Sequence, residues 1–117
     1  MDQLVVIIDD QEVVAELTKN LLENAGITNI ETYTDSSAAL YRINQVQPDV
    51  VISDYRMPGM NGVELLQAAK VKNPQIFGML MTGEQDFNGT DDFPVFPKNY
   101  DSIGKMINCV CDHLRRN

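Results

Sequence analysis

Two adjacent acids, Asp9 and Asp10, follow the apolar run Leu4–Ile8, and a third, Asp54, follows the run Asp49–Ser53. Thr82 comes directly after a fourth apolar run, Ile76–Met81, and Lys98 lies just beyond Phe93–Phe96. If these runs are strands of one parallel sheet, three carboxylates, a hydroxyl and an amine meet at one edge, where open α/β sheets bind their ligands. Three like charges at close range destabilise one another unless a cation sits among them. Mg²⁺ suits such a site, because it takes oxygen ligands from one or two carboxylates, keeps several waters and leaves positions for phosphate oxygens. Lys98 is the only basic residue between Asn73 and Gly104, a stretch with five acids, which sets it apart from a solubility lysine. The set matches what phosphoryl transfer requires, namely positioning plus neutralisation of charge on the phosphoryl oxygens. A carboxylate can supply the nucleophile by forming an acyl phosphate, and Asp54, at the end of the central strand, is the candidate. Each residue alone has a plainer reading: Asp10 as a cap of the first helix, Asp54 as a turn residue, Thr82 as a strand former, Lys98 as a solvated charge. Their joint placement at the same end of different strands favours a site.

The elements that must position these residues follow from periodicity. Leu4–Ile8, Ile27–Thr34, Asp49–Ser53, Ile76–Met81 and Phe93–Phe96 read as five strands. Gln11–Ala25 reads as a helix with Val14, Leu17, Leu21 and Ala25 on its inner stripe, stopped by Gly26. A second helix, capped by Asp35 or Ser36, runs to about Val46 with Ala39, Ile43 and Val46 inward. A third runs from about Gly62 to Lys72, and the last, Asp101–Arg115, carries Ile103, Met106, Ile107, Val110 and Leu114 on one face. Strands apolar on both faces alternating with helices mean a parallel sheet covered on both sides, a doubly wound α/β domain. One interval breaks the rhythm: Thr82–Asp92 contains two Gly, Asn88 and four acids, with Phe87 as its one large apolar residue. No amphipathic helix can be written there, so the fourth crossover helix is expected to be one turn or absent.

With 117 residues the chain fits one domain, expected over residues 1–117. Its composition, 44% apolar and 22% charged, is that of a globular protein rather than an acidic disordered tail. A net charge of −8 argues against direct nucleic-acid binding, since phosphates would be repelled. No apolar run is long enough for a membrane span or signal-peptide core, so a cytoplasmic protein is expected. Cys109 and Cys111, two residues apart on a helix with only His113 nearby, are expected to be reduced, half-buried thiols rather than metal ligands.

The segments IIDDQ, DVVISDYRMPGMNG, LMTG and FPK resemble the receiver domains of two-component response regulators, of the chemotaxis-regulator type, over essentially the whole chain. The run from Asp54 to Gly62 is the specific part of the match. The resemblance implies a flavodoxin-like fold with strand order 2-1-3-4-5. It also implies that Asp54 is the phosphoacceptor, that Thr82 hydrogen-bonds the phosphoryl group and that Lys98 pairs with it. Asp9, Asp10, Asp54 and the backbone carbonyl of Arg56 would position Mg²⁺. The phosphodonor would be a phosphohistidine on a sensor histidine kinase or a histidine phosphotransfer protein, and Arg56 and Glu84 would flank the path of the hydrolytic water. The domain would act in signalling and catalyse only its own phosphorylation and dephosphorylation.

Three features depart from that family. The crossover after Thr82 is short. Val95 stands where the family has an aromatic three residues before the lysine; Phe93 shares its strand parity, and Phe96 points to the other face. Asn99 replaces the usual proline after the lysine, and Pro97 precedes Lys98 instead. The face that receivers commonly use for dimerisation or output is therefore expected to be used differently here. Competing readings are a pseudo-receiver that binds partners without being phosphorylated, and a haloacid-dehalogenase-type phosphatase. The latter resembles D-x-D, but Arg56 occupies the second acid's place. A flavodoxin-like electron carrier is disfavoured because Asp9 and Asp10 would repel the flavin phosphate.

Overall fold

In the computed structural model the described residues are 3–83 and 92–116. The elements alternate as β1 (Val5–Ile8), α1 (Glu12–Asn24), β2 (Ile30–Tyr33), α2 (Ser36–Val46), β3 (Val50–Asp54), α3 (Gly62–Lys72), β4 (Phe77–Thr82), β5 (Val95–Pro97) and α4 (Tyr100–Arg116). All strand pairs are parallel, in the order β2-β1-β3-β4-β5, which is the doubly wound, flavodoxin-like sheet expected from the sequence. The short or absent helix expected between β4 and β5 falls largely on residues 84–91, outside the described residues.

β1 and β3 are buried along their whole length, and β4 after its first residue, which is why their sequences are continuous apolar runs. Alternate residues serve opposite faces. Val6, Ile8, Val51 and Leu80 pack with Ala39 and Ile43 of α2 and Leu65, Leu66 and Ala69 of α3. Val5, Ile7, Val50, Ile52, Met79 and Met81 pack with Ala15 and Leu22 of α1 and Met106 and Val110 of α4. Phe93 and Val95 share the first face and Phe96 the second, the parity expected from the sequence.

The inner stripe of α1 differs from the expected one. Ala15, Thr18 and Leu22 are buried, whereas Leu17 is 49% exposed and Ala25 is exposed. The small Ala15 lets the helix axis approach the sheet, and Thr18 satisfies its hydroxyl within the helix by donating to the Val14 carbonyl at 2.9 Å. Size-weighted periodicity therefore misplaced the face.

Strand boundaries shift as well. β2 begins at Ile30 rather than Ile27, because Gly26, at φ +96°, turns the chain out of α1 and the Ile27 N–H still bonds the Leu22 carbonyl. β5 covers Val95–Pro97 rather than Phe93–Phe96; as an edge strand it tolerates Pro97. α2 is capped as expected: the Asp35 carboxylate accepts from the Ala38 N–H at 2.9 Å. Across the sheet's other end, the Gln3 side-chain amide donates to the Leu114 carbonyl at 3.0 Å, tying the chain before β1 to the last turn of α4.

Candidate functional site

Register brings the predicted residues together. Ile8 lies beside Ser53, so the next residues, Asp9 and Asp54, emerge side by side from β1 and β3. β3 and β4 each extend one residue further than the apolar runs indicated, making Asp54 and Thr82 the last residues of their strands. Thr82 lies beside Pro97, and the Lys98 N–H donates to the Thr82 carbonyl at 2.9 Å, which delivers Lys98 to the same edge. The residue after it, Asn99, is the cap of α4: its side-chain oxygen accepts from the Ser102 N–H at 2.9 Å. Helix initiation immediately after Lys98 thus fixes the lysine's backbone.

Asp9 is fully buried, and its two oxygens are divided between partners. Oδ1 accepts from the Gln11 N–H at 2.9 Å and Oδ2 receives Lys98 Nζ at 2.9 Å. The same ammonium lies 3.2 Å from Asp54 Oδ1. Asp10 is exposed and does not cap α1, whose cap position is Gln11 without a side-chain capping bond. Carboxylate oxygens of Asp9, Asp10 and Asp54 all lie within 4.8 Å of one another.

The electrostatics follow from this crowding. Burial pushes the Asp54 carboxyl up to about 6, with the charge of Asp9 and then that of Asp10 adding to the shift and Lys98 opposing it. Burial acts to lower Lys98, but its hydrogen bond to Asp9 and the charges of Asp9 and Asp54 outweigh this and hold it above its ordinary value. Lys98 pairs with Asp9 and Asp54, and even with Arg56 lining the same cavity the three close carboxylates leave an excess of negative charge, with hard oxygens as donors. That donor set fits a small divalent cation such as Mg²⁺.

Asp10, Gln11, Asp54, Arg56, Thr82, Gly83 and Lys98 line one cavity of about 330 Å³. Asp10 and Arg56 also border a neighbouring cavity of about 460 Å³ over the loop Tyr55–Asn61. The cavity at the other end of the strands, lined among others by Gly26, Thr28, Cys111 and Arg115, gathers no carboxylate among the described residues. Cys109 and Cys111 are free and half-buried, and burial pushes the Cys109 thiol up. Of the predicted site residues, Asp9, Asp10, Asp54, Arg56, Thr82 and Lys98 are therefore brought together, and Glu84 lies outside the described residues.

Four supporting residues escaped the sequence reading: Gln11, Asn61, Gly62 and Glu64. A Cβ on Gly62 would collide with the Asp54 carbonyl oxygen and come within 2.7 Å of Leu80 Cδ2, so only glycine lets α3 start this close to the end of β3. Its N–H donates to the Tyr55 carbonyl at 2.9 Å, closing the loop after Asp54. Asn61 and Glu64 form a reciprocal capping box there, for which the N-x-x-E spacing was a readable signal. Gln11 and Gly62 carried no such signal.

The model of the response regulator receiver domain matches residues 5–92. Over 104 residues the chain is 30% identical to the DNA-binding transcriptional regulator NtrC of Escherichia coli K12, covering 84% of this chain and 22% of that protein. Over 66 residues it is 35% identical to the chemotaxis protein CheY of Pseudomonas aeruginosa, covering 56% of this chain and 53% of that one. The chain thus spans about a fifth of the first relative's length and about half of the second's. Among solved structures, a response regulator receiver domain from Clostridium thermocellum superposes with a TM-score of 0.86 at 23% identity, over 97% of this chain and 95% of that one. The receiver domain of the Francisella response regulator 1452 does so with a TM-score of 0.81 at 25% identity, over 97% and 98%. With the sheet order, the acidic edge and the family model in agreement, this chain belongs to the response regulator receiver domains of two-component signalling.

Proposed function

We propose that residues 1–117 form a phosphoacceptor domain in which Asp54 takes a phosphoryl group from a phosphohistidine of a sensor histidine kinase or a histidine phosphotransfer protein, in the cytoplasm. The observation that carries this reading is the single ammonium of Lys98 held between Asp9 and Asp54, with three carboxylates inside 4.8 Å. Asp54 Oδ attacks phosphorus, the P–N bond to the donor imidazole breaks, and its electron pair stays on that nitrogen, which then takes a proton from solvent. Asp9, Asp10, Asp54 and the Arg56 carbonyl would hold Mg²⁺. When bound, Mg²⁺ supplies charge neutralisation among the carboxylates and on the phosphoryl oxygens. Once Asp54 carries the acyl phosphate, Lys98 is released from its carboxylate oxygen to pair with a phosphoryl oxygen, and Thr82, lining the same cavity, donates its hydroxyl to another. Arg56 and Glu84 are proposed to tune hydrolysis of the acyl phosphate.

The test is intact-protein mass after incubation with phosphoramidate and Mg²⁺. One added phosphoryl group, lost in Asp54→Asn and in excess EDTA, is the expected result. No gain in a protein that demonstrably binds Mg²⁺ would replace this reading with a domain that binds partners unphosphorylated.

A further inference from the structure

Gln11 stands where a helix cap should be and does not cap. Ser, Thr, Asp or Asn at the first helical boundary would satisfy an N–H of the opening turn, and their absence costs a helix about 1 kcal/mol. Gln11 has the extended backbone of a cap residue, φ −95° and ψ 105°, and its carbonyl accepts from the Val14 and Ala15 N–H groups, yet its side chain makes no capping bond. Its N–H is anchored on Asp9 Oδ1 at 2.9 Å, and the residue lines the cavity that Asp54, Thr82 and Lys98 share. A local rule is broken at the rim of the reaction chamber, the place where such exceptions concentrate.

We infer that the side-chain amide of Gln11 positions the water that hydrolyses the acyl phosphate on Asp54, and so sets the lifetime of the signal. This rests on the reading of Asp54 as phosphoacceptor. A carboxamide suits the task because it accepts from one O–H of the water while donating to a phosphoryl oxygen, as a positioning glutamine can in phosphoryl transfer to water. The water oxygen attacks phosphorus and the P–O bond to the Asp54 carboxyl breaks. The electron pair returns to Asp54 as carboxylate, and both water protons leave on the product H₂PO₄⁻. Anchored through its backbone to the buried Asp9, Gln11 brings a short, tethered arm to the cavity that the phosphoryl group must enter.

The experiment follows the decay of protein phosphorylated with phosphoramidate and Mg²⁺, by intact mass after donor removal, in wild type, Gln11→Met and Gln11→Ser. Gln11→Met keeps the arm's length without the amide and is expected to slow decay about tenfold, equivalent to about 1.4 kcal/mol of lost transition-state stabilisation. Gln11→Ser supplies a capping hydroxyl, so it is expected to melt no lower than wild type while decaying as slowly as Gln11→Met. Decay within twofold of wild type in both variants, or decay that follows melting temperature rather than the amide, overturns the inference. A wild type that gains no phosphoryl mass overturns the Asp54 reading itself, and that outcome is seen before any decay is timed.

Discussion

Asp54 is burdened by its position before any chemistry occurs. It stands at the end of a buried strand beside Asp9, and burial together with that neighbour raises its carboxyl from 3.8 to about 6. The sign of the stability effect follows. Between those two values the folded protein holds a proton that the unfolded chain has lost, so acidification through this window stabilises the metal-free fold, and near neutral pH the ionised Asp54 opposes it. In EDTA near neutral pH, Asp54→Asn is therefore expected to be more stable than wild type by on the order of 2 kcal/mol in urea unfolding. The advantage should vanish as pH falls below 3.8. Added Mg²⁺ should reverse the ranking, because only the wild type offers the full set of carboxylates. A metal-free Asp54→Asn no more stable than wild type would show that Lys98 already compensates the buried charge.

At the scale of elements, two joints hold the site. Gly62 lets the start of α3 rest on the backbone of Asp54, and Gly62→Ala would push a methyl group into that carbonyl. We expect a loss of about 2–3 kcal/mol in denaturant unfolding, and a slower phosphorylation of the folded fraction, by roughly 10- to 100-fold for a shift of the carboxylate near 1 Å. At the sheet's far edge, Arg42 of α2 grips both oxygens of Glu31 on β2 at 3.0 and 3.1 Å, and Tyr33 donates to the same carboxylate at 2.8 Å. The hydrogen bond from Arg42 holds the Glu31 carboxyl below its ordinary value, although burial opposes this. Its contribution is present above 4.5 and fades as pH falls below that value. Glu31→Gln should lower the urea midpoint near neutral pH and leave it unchanged in strong acid. The elements themselves were largely readable: continuous apolar runs marked β1, β3 and β4, and the amphipathic stripe of α4 is the one observed. What stayed hidden was set by small groups. Ala15 and Thr18 turned α1 relative to its larger residues, Asn99 became a cap where a departure from family pattern had stood out, and Gly62 mattered through a Cβ it lacks. None of these leaves a periodic trace. Of the site, Asp9, Asp10, Asp54, Thr82 and Lys98 were legible because each ends or follows an apolar run. Gln11 was not, because its meaning depends on a capping bond it fails to make.

For the whole molecule, the net charge of −8 places the carboxylate edge within a wider negative field. Mg²⁺ is drawn by that field as well as by its ligands, so its dissociation constant should rise roughly threefold from low to physiological salt, as distant charges are screened and near ones are not. Titration calorimetry at two ionic strengths measures this directly; an unchanged constant would confine the attraction to the three carboxylates. Among the described residues no helix is long and apolar enough to cross a membrane. The bond from Gln3 to Leu114 has a practical consequence for handling the protein. It gathers residues 3 and 114 at the pole where the strands begin, whereas Asp9 emerges where they end, roughly 20 Å away along an extended strand. A surface anchor or fluorescent tag attached at that pole would leave the carboxylates facing open solution.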